Sequence, residues 1–439
     1  MGRETLHVMA TASASPDALW PTARDFCGAW HPFIATIAQE RGERGAVIRR
    51  FTAHGEDTVY REQRTYLSNS DRVIAYTHLE GIKGASRYNA RLTLSPRDGG
   101  GTAISWTAEI EAPGPRASDI AKATHPVFEA GIEAIQSRAS LMLAENTPPQ
   151  PMNVEDRPLP LTETILPGTP RLGLTHTARK GDTLALFLHG IGGARHNWAR
   201  QLTQAGHRMT ACALDLRGYG DSSLGFEQST VEDYCDDILR VMVHFGAKRL
   251  VLVGLSYGSW IATSFAMRHP EKLAGLVLSG GCTGMSEAGP EEREAFRVSR
   301  EVPLNAGQVP ADFAPAVVKV IAGPHAPEAV RAELLASMSA IPAATYRDAL
   351  VCFTSPRERF DFARLTMPTL LMTGEHDRLA PPSEIRAVAG RILDAAPHMQ
   401  NARPDVQYET IPGVGHVCNV EGADAYTAAL IPFLARLIP

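Results

Sequence analysis

The stretch VLVGLSYGSW, residues 251–260, decides how the larger part of this chain is read. A run of strand-forming residues stops at Gly254, a single serine stands at Ser256, and a second glycine follows at Gly258. The pentapeptide alone reads equally as a turn of small residues or as a serine held up for attack. Its surroundings separate the two. KRLVLVG before it is a buried strand by pattern, and YGSWIATSFAMRHP after it is a helix ended at His269-Pro270. The serine therefore falls on a strand-to-helix turn. Such a turn forces its apex residue into a strained conformation, and glycine two positions before and after removes the Cβ atoms that would clash.

A serine hydroxyl attacks at neutral pH only with a base beside it, and the base needs a carboxylate to orient it. LLMTGEHDRLAPP places Asp377 just past a second apolar strand, and IPGVGHVCNVEG places His416 just past a third. The order nucleophile, acid, histidine along the chain, each at a strand end, lets the three side chains meet above one sheet. Glu375 stands two residues from Asp377 and is the alternative carboxylate. A developing oxyanion needs backbone N–H donors. LFLHGIGG ends the first strand of this half, so the N–H groups of Ile191 and of Tyr257, next to the serine, are the candidate donors, with His189 and Gly190 shaping the turn.

Apolar runs alternate with helix-like stretches from residue 172 to 439, the signature of a parallel sheet covered on both faces. The stretch at about 282–366 breaks that alternation; it is helix-rich and reads as a lid over the carboxyl ends of the strands. Residues 146–171 hold seven prolines, too many for a helix or central strand, and read as a linker. Before them, five short runs with period-two alternation (46–55, 57–68, 72–81, 86–96 and 102–112) predict an antiparallel meander. A short helix capped by Ser15 precedes the meander and a long one, 117–143, follows it.

The segments of residues 5–142 resemble the polyketide-cyclase/START-like family (SRPBCC, Bet v 1-type helix-grip). The resemblance implies an α+β domain, its antiparallel sheet wrapped on a long helix, over residues 1–145. The domain would bind a hydrophobic ligand or shape the substrate site, and Trp20, Phe26, Trp30, Phe33, Tyr60, Tyr76 and Tyr88 are candidates to line a cavity; the bland alternative is that they are core. His31, before Pro32, reads as a turn residue. LFLHGIGG, LDLRGYGDSS, VGLSYGSW, TGEHDRLAPP and PGVGHV together resemble the α/β-hydrolase fold family, its enol-lactonase and esterase branch in particular. That resemblance implies Ser256 as nucleophile, Asp377 as acid, His416 as base and Ile191 with Tyr257 as oxyanion donors. Asp215, Arg217 and Ser222, with Gly218 and Gly220, match a loop that is structural in that family.

The expected activity is hydrolysis of a carboxylic ester or lactone through an acyl-enzyme, without metal or cofactor. A carbon–carbon bond hydrolase, a cofactor-free perhydrolase and a non-enzymatic ligand receptor are the alternatives. A length of 439 residues, 44% hydrophobic and 21% charged, suits a two-domain globular protein. A net charge of −5 provides no electrostatic reason for a nucleic-acid partner. Six scattered cysteines suggest neither a zinc knuckle nor a disulfide framework. With no apolar run long enough for a membrane span and no signal-peptide pattern at the N-terminus, the expected location is the cytoplasm.

Overall fold

Seven antiparallel strands and one long helix make up the first of two units in this computed structural model. The structure describes residues 1–42, 45–145, 159–357, 359–395 and 404–438. The first unit comprises Met1–Pro151 with Ala396–Glu409, the second Met152–Ala395 with Thr410–Pro439. Residues 146–158 of the expected linker lie outside the described residues.

In the first unit the strands are β1 (Gly2–Ala12), β2 (Ile34–Arg41), β3 (Val47–Ala53), β4 (Val59–Ser68), β5 (Val73–Glu80), β6 (Arg87–Pro96) and β7 (Thr102–Ala112). Their spatial order is β2-β3-β4-β5-β6-β7-β1, with every pairing between them antiparallel. The five predicted strands are β3 to β7; β1 and β2 are additional. On β7 every second residue from Thr102 to Ala112 is buried, as period-two alternation requires of a sheet with one covered face. The cover is α2 (Arg116–Glu145), where Phe128 stacks on Trp106 with ring centroids 4.5 Å apart. Helix α1 (Pro16–Arg24) starts as expected: Ser15 Oγ accepts from the Ala18 N–H at 3.3 Å and Pro16 takes the first position.

Trp20, Phe26, Trp30, Tyr76 and Tyr88 are packed in this core, whereas Phe33 and Tyr60 are only partly buried. One ion pair sits among them. Arg49 Nε donates to Glu62 Oε2 at 2.7 Å, and the guanidinium lies 4.6 Å from the Phe26 centroid and 4.8 Å from that of Tyr76. His31 is buried beside it; desolvation and the Arg49 charge lower its pKa to about 4, and its Nδ1 accepts from the Phe33 N–H. It is a neutral turn residue.

The second unit has strands β8 (Thr162–Leu166), β9 (Leu172–His176), β10 (Thr183–Leu188), β11 (Thr210–Leu214), β12 (Arg249–Leu255), β13 (Leu273–Ser279) and β14 (Thr369–Gly374). They lie in the order β8-β9-β11-β10-β12-β13-β14. The pairings of β10 with β11 and β12, of β12 with β13 and of β13 with β14 are parallel; β8 and β9 form an antiparallel edge. Strand β8 lies inside the segment assigned to the linker. Its prolines, Pro160 and Pro167, bracket a five-residue strand rather than interrupt it, so their density concealed an edge pairing. The predicted last strand is β15 (Val406–Ile411), and the division between units falls within it, at Glu409–Thr410. Sequence pattern had assigned 396–409 to the hydrolase domain.

Strands β10, β13 and β14 are buried throughout, and β12 from Leu250 onward, the near-continuous apolar runs of a parallel sheet. Between β13 and β14 come four helices: α6 (Pro290–Asn305), α7 (Pro310–Ile321), α8 (Glu328–Ser339) and α9 (Ala343–Thr354). They occupy the stretch read as a lid.

Replacing Glu62 with Ala leaves the Arg49 guanidinium buried without its counter-charge. The expected loss is about 3–5 kcal/mol, seen as a lower denaturant midpoint, and pairing it with Arg49→Met recovers most of that loss.

Candidate active site

Backbone crowding fixes the position of Ser256. A Cβ on Gly254 would stand 2.4 Å from the Gly258 carbonyl oxygen, and one on Gly258 would stand 2.3 Å from that of Leu188. No side chain fits at either place, so strand β12 and helix α5 (Tyr257–Arg268) meet in a turn that only glycine permits. Ser256 at its apex has φ 54° and ψ −112°. Arg72 is the only other non-glycine residue with positive φ among the described residues. Such a conformation costs about 1–3 kcal/mol and persists only where its surroundings enforce it. Here the Ser256 N–H donates to the Ser279 carbonyl at 2.7 Å, while Ser259 Oγ donates to the carbonyls of Gly254 and Ser279.

His416 and Asp377 are brought together by a second close approach. Gly374, which ends β14, lies so near Gly415 that a Cβ would be 2.0 Å from the Gly415 carbonyl oxygen. The N–H groups of Glu375 and His376 donate to the carbonyls of Ile411 and Val414, locking the two loops side by side. His416 Nδ1 then lies 2.9 Å from Asp377 Oδ2. The competing carboxylate, Glu375, turns away to accept from the Gly413 N–H at 2.8 Å. Burial opposes charge on Asp377. The bond from His416 and the N–H groups of Leu379 and Ala380, at 2.8 and 3.0 Å, outweigh it and hold the carboxyl below its ordinary value. A charged Asp377 makes Nδ1 the protonated ring nitrogen and leaves Nε2 as the basic one.

Ser256 and His416 share the wall of one cavity of about 610 Å³, and Ile191 and Tyr257 line it with them. The hydrogen bonds of the described residues include none between Ser256 Oγ and the His416 ring. Tyr257 opens α5, so its N–H has no acceptor within the helix. The Ile191 loop is set from behind: Tyr219 Oη donates to the Ile191 carbonyl at 2.9 Å, turning that oxygen from the cavity. His189 accepts the Leu216 N–H on Nε2 and donates from Nδ1 to the Gly190 carbonyl. Its burial lowers its pKa, so it is a neutral brace.

Asp215, Arg217 and Ser222 hold neighbouring loops. Asp215 pairs with Arg195 and accepts the Asp221 N–H, Arg217 Nε donates to Asp237 at 2.7 Å, and Ser222 Oγ donates to the Asp215 carbonyl. Residues absent from the sequence reading also act here. Glu421 accepts from the N–H groups of Gly415 and Gly323, tying the His416 loop to the end of α7. Thr373 Oγ1 donates to Asp377 Oδ2. Glu384, on α10 (Pro382–Ala395), lines the cavity, and burial together with nearby Asp377 raises its pKa. None of these stands in a recognisable spacing; each is recruited by the fold. Among the described residues no group of three His, Cys, Asp or Glu side chains is placed to hold a metal ion, and no helix is long and apolar enough to cross a membrane.

Comparison with known proteins agrees with this architecture. Residues 185–325 match the alpha/beta hydrolase fold family, and residues 4–140 match the family described as polyketide cyclase / dehydrase and lipid transport. The chain is thus similar, over these two stretches, to a domain of each. It is 25% identical over 279 residues to RutD of Klebsiella pneumoniae, described as a carbamate hydrolase, covering 61% of this chain and 97% of RutD. A thermophilic esterase from Thermogutta terrifontis superposes with a TM-score of 0.53 at 25% identity, over 64% of this chain and all of that one. The enol-lactonase from Burkholderia xenovorans LB400 superposes with a TM-score of 0.50 at 20% identity, over 60% and 96% of the two chains, a likeness of fold.

Gly258→Ala is expected to destabilise the fold by about 1–3 kcal/mol or more, because the added methyl meets backbone that has no room to move. Urea denaturation measures it.

Proposed function

We propose that this chain is a serine hydrolase that opens a carboxylic ester or lactone through an acyl-enzyme. The observation that carries the reading is the 2.9 Å bond from His416 to a charged, buried Asp377, on the wall of a cavity that also presents the strained Ser256. The esterase and the carbamate hydrolase among its relatives support the same class, since both names describe cleavage at an acyl carbon.

In this reading His416 Nε2 takes the Ser256 proton as Oγ attacks the substrate carbonyl. The N–H groups of Ile191 and Tyr257 receive the negative charge on the carbonyl oxygen. His416 then gives its proton to the leaving alkoxide, and in the second half-reaction takes one from the water that attacks the acyl-serine. Asp377 stays ionised throughout and stabilises the imidazolium. Product analysis separates an ester or lactone hydrolase from a carbon–carbon hydrolase or a perhydrolase, which employ the same three residues. The aromatics of the first unit, packed as core, are assigned to its stability.

Ser256→Ala is expected to lower kcat for a 4-nitrophenyl ester by about 10⁴-fold or more. Retention of near-full activity would remove Ser256 from the mechanism. Asp377→Asn keeps the shape of the site but stabilises the wrong ring tautomer, with an expected loss on the order of 10⁴ in kcat.

A further inference from the structure

The four inserted helices contribute mostly apolar side chains to the cavity wall, such as Phe296, Phe313, Leu334 and Met338. Arg300, on α6, reaches the same wall. Its Nη1 donates to the Phe296 carbonyl at 3.3 Å and to Ser299 Oγ at 3.2 Å. Its Nε–H and Nη2–H have no acceptor among the described residues, and no described carboxylate lies within ion-pair distance. The nearby acids of α6 are taken: Glu294 and Glu301 both pair with Arg297. The guanidinium lies 3.4 Å from the centroid of the Phe296 ring, which sets its plane.

Arg300 is half-buried, and the more deeply buried Arg49, Arg195 and Arg217 are neutralised. Arg49, Arg195 and Arg217 are opposed by desolvation, yet the carboxylates of Glu62, Asp215 and Asp237 carry their pKa values upward. Arg300 moves the other way: burial lowers it and no acid answers. Tyr346, on α9, is its electrostatic neighbour. The Tyr346 ring is buried and lines the cavity, and its hydroxyl makes no hydrogen bond among the described residues. Glu384, the carboxyl that also lines the cavity, is coupled to Asp377 and Glu287 and not to Arg300.

A guanidinium fork open on its Nε–Nη2 edge matches the two oxygens of a carboxylate. Half withdrawn from water and without a carboxylate partner, it gains more from an incoming anion than a fully solvated guanidinium would. A single cation with one hydroxyl suits a monoanion; a phosphate dianion calls for more positive charge than this wall provides.

We propose that Arg300, with the Tyr346 hydroxyl, holds a free carboxylate on the substrate, remote from the bond that Ser256 attacks. The substrate class is then the half-ester of a dicarboxylic acid. This rests on the assignment of Ser256 as nucleophile.

The test is a series of monoethyl esters of succinate, glutarate, adipate and pimelate against ethyl esters of chain-matched monocarboxylic acids, followed by pH-stat. In the native enzyme kcat/KM for the best half-ester exceeds that for its neutral partner by about 10- to 100-fold. Arg300→Ala and Arg300→Gln bring that ratio to about one or below, mainly through KM. Arg300→Lys retains part of it, and Tyr346→Phe lowers it several-fold. Melting temperatures check that the variants are folded; should Arg300→Ala fail to fold, the native ratio and Arg300→Lys decide the matter. Ser256-dependent hydrolysis of the neutral esters with no preference for any half-ester overturns the role of Arg300 and leaves the hydrolase standing. Absence of Ser256-dependent hydrolysis in both series overturns the two together.

Discussion

The second unit depends on backbone packed too closely for any side chain. At the end of β12 the carbonyls of Gly258 and Leu188 occupy the space where Cβ atoms of residues 254 and 258 would lie. That contact pins a strand, a helix and the neighbouring strand to one point and leaves Ser256 no relaxed conformation. The strain is local, but its consequence is positional. A serine in an ordinary turn samples several orientations; one held at positive φ in a turn crowded on both sides has fewer. The approach of Gly374 to Gly415 does the same for the acid and the histidine, which stand on different loops and would otherwise drift independently.

Electrostatics completes what packing begins. Asp377 and Glu384 are close enough to influence each other, and their environments drive them apart. Two backbone N–H donors besides the histidine keep Asp377 low; Glu384 has burial and two negative neighbours, Asp377 and Glu287, and is driven up. A negative Asp377 makes ionisation of Glu384 harder, as like charges in one site do. His189 is kept neutral by burial close to the candidate oxyanion loop, where it braces the turn through two bonds of opposite sense. The ionisable groups around the cavity are thus shifted in different directions because their partners differ.

Much of this was legible from residue order. Glycines at fixed offsets around a serine, carboxylate and histidine at strand ends, and a change from alternating to continuous apolar runs are local signals, and the strands and helices of both units follow them. The failures were of another kind. Strand β1 begins at Gly2 and pairs over its whole length with β7, a hundred residues away, and β2 alternates too weakly to register because much of it is exposed. Strand β8 was masked by its flanking prolines. Glu375 and Asp377 were separable only in space, since two residues of loop direction decide which one faces His416. Thr373, Tyr219 and Glu421 were invisible for the same reason: each acts through one hydrogen bond to a group distant in sequence or turned by a loop.

The inserted helices mark the boundary between what pattern reveals and what it conceals. Elbow, acid and histidine obey rules of spacing because the sheet enforces them. The cap obeys no comparable rule, since helices between β13 and β14 need only cover the strand ends. Of the arginines of α6, Arg293, Arg297 and Arg300, the sequence marks none as different. Space marks them: one turn of helix separates Arg297, held between two glutamates, from Arg300, whose fork is open over a wall of aromatic and aliphatic carbon. A half-buried charge without a carboxylate partner in such a place is a cost that the proposed substrate carboxylate removes. Chemistry common to the fold resides in the sheet, and discrimination among substrates resides in the one part of the chain that the sheet leaves unconstrained.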